Sequence, residues 1–391
     1  MNFKETFNSV PAETKIDYLF TLLGNNEKLR TEFLNYIQKK LQETDNQISY
    51  EDFKNLINNS QKEYQDQLEV IDLEEPDWDN YTPPHSGYIE EWEALQYMAE
   101  QEVENIFDGW KDYLLDLIIE QKIEEGFAEL VAIYEACLNS DVNDPYDNLG
   151  DPNEYFVDEH KKMIKYFTGR VSQSILHENT MQNSIKLFLQ YCKDECPENE
   201  NYPRYFEPVL LALAEKSGNP ETILKQIDNS NIEKKRLPQL VLLLNKLCGN
   251  PGDWLKNAKA YYPVDNKVAE ELLEYYLEND IDAFNITANE LFEKDKYRWA
   301  KFLADKISEA SSRQLFKNAF SELTIKETKI DYYKKIENIL NKDEKEQLIN
   351  TVYNKPFKVE IFEEEKQYDK IKQIVEKIPI RGISQNSLNP Y

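Results

Sequence analysis

The sequence predicts an all-α protein, an α-solenoid of stacked helical hairpins with a degenerate tetratricopeptide-like layout. Three observations carry this. Apolar residues recur at spacings of three and four along most of the chain, the pattern of amphipathic helices. Only 10 Gly and 16 Pro occur in 391 residues, too few for the tight turns of a sandwich or barrel. The helical stretches are about ten to fifteen residues long with short joins, which makes neighbours antiparallel and favours a stack of helix pairs.

At 46.3 kDa the chain exceeds what one core usually holds, and 40% hydrophobic with 12% aromatic residues is ample to bury more than one despite a mean hydropathy of −0.73. Composition shifts suggest an N-terminal helical module over 1–70, an acidic Pro-rich loop or linker over 71–89, an acidic helical domain over 90–200, a C-terminal helical-repeat domain over 201–378 and a polar tail over 379–391.

In chain order, Ile16, Leu19, Phe20 and Leu23, then Leu29, Phe33, Leu34 and Ile37, form two apolar stripes that meet at Gly24-Asn25-Asn26, which predicts two helices. A third runs from Tyr50 through Leu68 with Phe53, Leu56, Ile57 and Tyr64 on one side. Prolines 76, 83 and 84 break periodicity in the linker. From Glu90 to Asn139 the pattern is helical again, with interruptions expected near Gly109 and Gly126. After a turn-rich loop from Asp141 to Pro152, helices are expected over 154–178, 181–194 and 204–216, the last stopped by Ser217-Gly218-Asn219-Pro220. Further helices fit 220–228, 236–248, 252–261, 265–279, 282–294, 296–309, 311–322, 326–340, 343–352, 356–365 and 367–377.

Three segments, 209–224, 272–286 and 359–374, share an apolar helix, a small polar turn and a second amphipathic helix at uneven spacing, a degenerate repeat. The opening KIDYLFTLL (15–23) followed by NEKLR (26–30), the block EGFAELVAIY (125–134) with the aspartate-rich loop after it, and VAEELLEYYL (268–277) together resemble the long helical region that accompanies bacterial SWIM zinc-finger proteins. The resemblance covers most of the chain and implies a helical scaffold. The Cys-x-Cys and Cys-x-His of the finger are absent, so it implies neither the family's zinc site nor its nucleic-acid role.

Chemistry is sparse. Nucleophile-elbow, phosphate-loop, dinucleotide and His-Glu-x-x-His motifs are absent, and the histidines are His85, His160 and His177. Cys192 and Cys196 lie one turn apart near His177, but a structural zinc needs four ligands and no second pair accompanies them. Asp158-Glu159-His160 places adjacent side chains about 100° apart on a helix, unsuited to partnership. The loop from Asp141 has Pro145, Tyr146 and Pro152 where an EF-hand needs a ligand, a glycine and a bidentate Glu. No catalytic residue, cofactor or metal is expected. Four cysteines in so long a chain are no disulfide framework, the N-terminus lacks the apolar centre of a secretory signal, and the most apolar run, Leu237–Leu247, is half a membrane span, so the expectation is a reducing cytoplasm and no membrane.

Charge departs furthest from the ordinary. The net charge is −28, which repels nucleic-acid backbones and anionic lipid. Between Asp72 and Glu135 there are 19 acids against Lys111 and Lys122, and Trp78, Trp92 and Trp110 fall in the same stretch. These acids are expected to form a solvated face, with Trp92 and Trp110 at core positions of helices. As a recognition surface for another protein, a basic one, the candidates are Trp78, Glu90, Glu91, Trp92, Glu93, Glu100, Glu102 and Glu104. The favoured function is a non-enzymatic protein–protein scaffold. The alternatives are an acidic inhibitor mimicking nucleic acid on a basic toxin or nuclease, and a helical enzyme using carboxylates around a divalent metal.

Overall fold

The computed structural model describes residues 12–33, 47–71, 90–142, 144, 147–196, 199, 201–230, 232–308 and 312–376. Among them every regular element is a helix and no strand occurs. The chain forms two units, Met1–Ala260 and Tyr261–Tyr391. The expected tail and all of the expected linker but Ile71, which is buried, fall outside the described residues.

The first unit contains α1 (Ala12–Gly24), α2 (Tyr50–Glu69), α3 (Glu91–Ile119), α4 (Ile123–Asn139), α5 (Pro152–Gln173), α6 (Glu178–Glu195), the single turn α7 (Tyr202–Tyr205), α8 (Glu207–Lys216), α9 (Pro220–Asn229), α10 (Pro238–Leu247) and α11 (Pro251–Tyr261). Its centre is α4. Phe127, Ala128, Leu130, Val131, Ala132 and Ile133 have no exposed surface at all, and because successive residues point about 100° apart this run is covered on every side. Helices α2, α3, α5 and α6 supply that cover, and α8 packs in turn on α5, α6 and α10. Helices α7 to α11 therefore stand in the N-terminal unit, and the division at 260/261 lies well beyond the 200/201 boundary expected from composition.

Gly126 explains one close approach. A Cβ there would sit 3.2 Å from the Phe167 ring of α5, so the glycine lets that ring lie against the α4 backbone. Neither Gly109 nor Gly126 breaks a helix, contrary to expectation, because the packing of α3 and α4 on their neighbours outweighs the ~1 kcal/mol helix penalty of a glycine. The break falls instead at Glu120–Lys122. Gln121 adopts φ 65°, and the Lys122 N–H donates to Leu117 O at 2.8 Å, a Schellman-type end built without glycine.

The second unit contains α12 (Asn266–Asn279), α13 (Ile281–Lys294), α14 (Lys296–Lys306), α15 (Arg313–Glu327), α16 (Ile330–Ile336), α17 (Lys342–Thr351), α18 (Lys355–Glu364) and α19 (Tyr368–Glu376). Asp265, Asp280 and Asp295, fifteen residues apart, each cap the next helix by accepting from the backbone N–H three residues on, at Val268, Ala283 and Arg298 (2.9, 3.0 and 3.0 Å). Asp280 and Asp295 each end one helix and begin the next, so the joins are a single residue long. Consecutive helices from α12 to α16 pack on one another. Ion pairs reach two helices along: Arg298 to Glu270 (3.1 Å), Lys306 to Glu274 (2.6 Å) and Lys334 to Glu364 (2.6 Å). Helix α15 runs past the expected stop at 322, and Thr328, with φ 50°, closes it.

Two measurements check this account. Phe127→Ala should lower the unfolding free energy by ~3–5 kcal/mol in denaturant titrations, because the cavity opens inside a helix that cannot collapse onto it. Thr328→Gly and Gln121→Gly should each raise it, by up to ~1–2 kcal/mol, since the left-handed backbone is strained for any residue with a Cβ.

Candidate functional site

Helix α3 has two unlike faces. Ala94, Met98, Ala99, Val103, Phe107, Trp110, Leu114, Leu117 and Ile118 are buried. On the other side Glu104, Asp108, Asp112, Asp116 and Glu120 are exposed and follow one another at four-residue intervals, a row of carboxylates about 6 Å apart along the axis. Like charges at this spacing each cost a few tenths of a kcal/mol. Lys111 answers Asp108 at 2.7 Å and Lys122 answers Glu120 at 2.6 Å, while no ion pair forms to Glu104, Asp112 or Asp116 among the described residues.

The sequence candidates cluster at the start of this helix. Glu90, Glu102 and Glu104 are exposed, and Glu93 and Glu100 half-buried, with Glu100 accepting from Gln96 at 2.9 Å. The Glu91 side chain and Trp78 lie outside the described residues. Trp92 is 62% exposed, which corrects its assignment to the core, and its indole N–H donates to Glu90 Oε2 at 2.6 Å. Trp110 is buried as expected, with its N–H on Gln67 Oε1 at 2.9 Å and its ring 4.8 Å from both Tyr64 and Phe107. The two differ because Trp110 faces α2, whereas Trp92 begins the helix on its outer side.

A second correction concerns the acids of α4. Glu124 and Glu129 are 3% exposed and Glu135 is half-buried, so they belong to no solvated face. Each is keyed to a different neighbour. Glu124 accepts from the Asn183 amide of α6 at 2.6 Å. Glu129 takes the Ser60 and Tyr64 hydroxyls of α2 at 3.0 and 2.9 Å, and Glu135 takes the Tyr202 hydroxyl of α7 at 2.5 Å. Burial pushes the Glu129 and Glu135 carboxyls above the usual range, against the opposing pull of those hydroxyls. Sequence reading missed these acids, although their signal is visible: Glu129 interrupts an otherwise unbroken apolar run from Phe127 to Ile133.

The remaining candidates are structural. His160 is fully buried, with Nε2 at 2.8 Å from Leu130 O and Nδ1 at 2.9 Å from Tyr205 Oη. The imidazole stacks on Tyr205 and tilts against Tyr134, and burial holds it down at about 3, so it is neutral and donates from Nε2 to the carbonyl. Burial raises the Cys192 thiol, and lifts Cys196 to about 12. His177 and Cys192 stand near opposite ends of α6, about 22 Å apart at 1.5 Å per residue, which separates the imidazole from the thiol pair. Among the described residues no group of three or more His, Cys, Asp or Glu could hold a metal ion. Among them too, no helix is long and apolar enough to cross a membrane.

Comparison with known proteins finds no matching family model, no matching curated protein and no matching solved structure.

Because the His160 value is depressed, the unfolded chain binds a proton that the folded chain refuses. Stability from this residue is therefore complete above the ordinary value of ~6.5 and is lost as pH falls below it. In NMR titrations the His160 ring protons should show no shift between about pH 5 and 8, whereas an imidazole titrating near 6.5 in the folded protein would contradict the assignment.

Proposed function

We propose that the chain is a non-enzymatic helical scaffold that binds another protein, a basic one, through the outer face of α3. The observation that carries this is the row from Glu104 to Glu120, with Trp92 exposed at the N-terminal end of the same helix. Carboxylates without cations of their own repel one another, and a cationic partner relieves that repulsion while the field speeds encounter. Trp92 supplies what the charges lack, an apolar anchor with a polar edge.

Charge distribution supports the same reading. The first unit has 25 basic against 49 acidic side chains, the second 21 against 25, so the field is concentrated on the unit that carries α3. In the second unit we read the single-residue Asp joins, the neighbour-to-neighbour packing and the ion pairs two helices along as an α-solenoid of tetratricopeptide-like layout, which offers a groove for an extended or helical partner. The regular carboxylate row also fits an acidic inhibitor that takes the place of nucleic acid on a basic nuclease or toxin.

A lysine-rich amphipathic peptide serves as probe. Its association rate with the full chain should fall steeply from low to physiological salt, where the Debye length shrinks to ~8 Å. Replacing Glu104, Asp108, Asp112 and Asp116 by their amides should slow association at low salt several-fold while circular dichroism stays unchanged, and Trp92→Ala should chiefly speed dissociation. Equal rates for the wild type and the amide variant would remove α3 from the binding surface. Displacement of a basic nuclease from DNA or RNA by the chain would favour the inhibitor.

A further inference from the structure

We propose that α2 is a pH-set cover on α4, latched through Glu129: seated while this carboxyl holds a proton and loosened once it is ionised. Helix α2 lies along α4 with Phe53, Ile57, Tyr64 and Leu68 buried, and Glu129 stands in the middle of that seam at 3% exposure. Ser60 and Tyr64, both on α2, bond to its two oxygens.

The partners decide the sign. A carboxyl and a carboxylate are both satisfied there, because a serine hydroxyl can turn from donor to acceptor and take the acid's proton while Tyr64 goes on donating. Among the described residues, however, no cation pairs with the carboxylate. The groups that face it are Glu63 and Tyr64 from α2 and Tyr113 from α3. Lys122, at the head of α4 near Tyr113, is engaged with Glu120. On the α5 side His160 is bonded to the neighbouring Leu130 carbonyl and stays neutral, and from α6 Asn183 bonds to Glu124. Burial outweighs the two hydroxyls, and Glu63 adds a like charge, so ionisation is resisted as long as α2 is seated.

Withdrawing α2 hydrates Glu129 and returns it to the ordinary value near 4.3. The seated form holds the proton to a higher pH than the open form does. Opening therefore rises about tenfold per pH unit from ~4.3 up to the raised value and levels off above it. Seating is firmest in acid and weakens as pH rises, the opposite direction to the contribution of His160. What opening exposes is the α4 face under Ile57 and Tyr64, together with Trp110, whose ring rests on Tyr64 and whose N–H is held by Gln67 of α2.

The test is hydrogen–deuterium exchange of amides 50–69 in the full chain, corrected for intrinsic exchange, from about pH 4 to about pH 8, a window that starts at the ordinary carboxyl value. The wild type should show opening that increases with pH, by up to tenfold per unit, in α2 and not in α12 to α14. Glu129→Gln keeps an acceptor for Tyr64 and cannot ionise, so its α2 protection should be flat over the same range, while effects from His160 remain in both proteins. Tyr64→Phe removes one of the bonds that favour the carboxylate, so it should extend the rise to higher pH, and it decides the matter if Glu129→Gln does not fold. Constant α2 protection in the wild type, the wild-type slope in Glu129→Gln, or an unextended rise in Tyr64→Phe would overturn the proposal.

Discussion

The first unit depends on one constraint, the burial of α4 on every side. A helix apolar all round cannot face water, so it must be surrounded, and α2, α3, α5 and α6 are held in place because each supplies part of that cover. Gly126 shows how tight the fit is, since a single methyl would press on Phe167. Complete burial also dictates what happens to polar side chains on the same helix. Glu124 and Glu129 cannot reach solvent as long surface residues do, and Glu135 does so only in part, so each takes a donor from a neighbour, which ties that neighbour to α4.

The second unit solves a different problem. Its helices are short and bury at most one apolar stripe each, so among the described residues no helix is apolar all round, and order comes from caps and from packing on the adjacent helix. An aspartate that ends one helix and caps the next holds the joint to one residue, leaving little freedom in how successive helices diverge. Exposed ion pairs add only ~0–1 kcal/mol apiece, and their regular reach from one helix to the second after it gives direction more than strength.

Electrostatics divides along the same line. In the second unit acids and bases are nearly balanced and pair across helices. In the first, acids outnumber bases almost two to one, and α3 lines up carboxylates that Lys111 and Lys122 only partly answer. A surface that is costly to the isolated molecule and open to solvent is the kind that a cationic partner would stabilise.

Read alone, the sequence determined helix class and most helix positions, because three-and-four spacing and the Ser217-Gly218-Asn219-Pro220 stop are local signals that neighbours merely confirm. It also located the acid-rich helix and Trp110 in the core. The repeat of Asp265, Asp280 and Asp295 is present in the sequence, carried by the caps and not by the apolar residues. Tertiary structure alone decided the rest. Gly109 and Gly126 stay helical because packing exceeds a ~1 kcal/mol local preference, and the break moves to Gln121, where nothing in the residue type marks it. Trp92 and Glu129 exchanged the places their types suggested, one exposed and one buried, because a side chain's surroundings are set by which helix lies across from it, and that is a property of the whole chain.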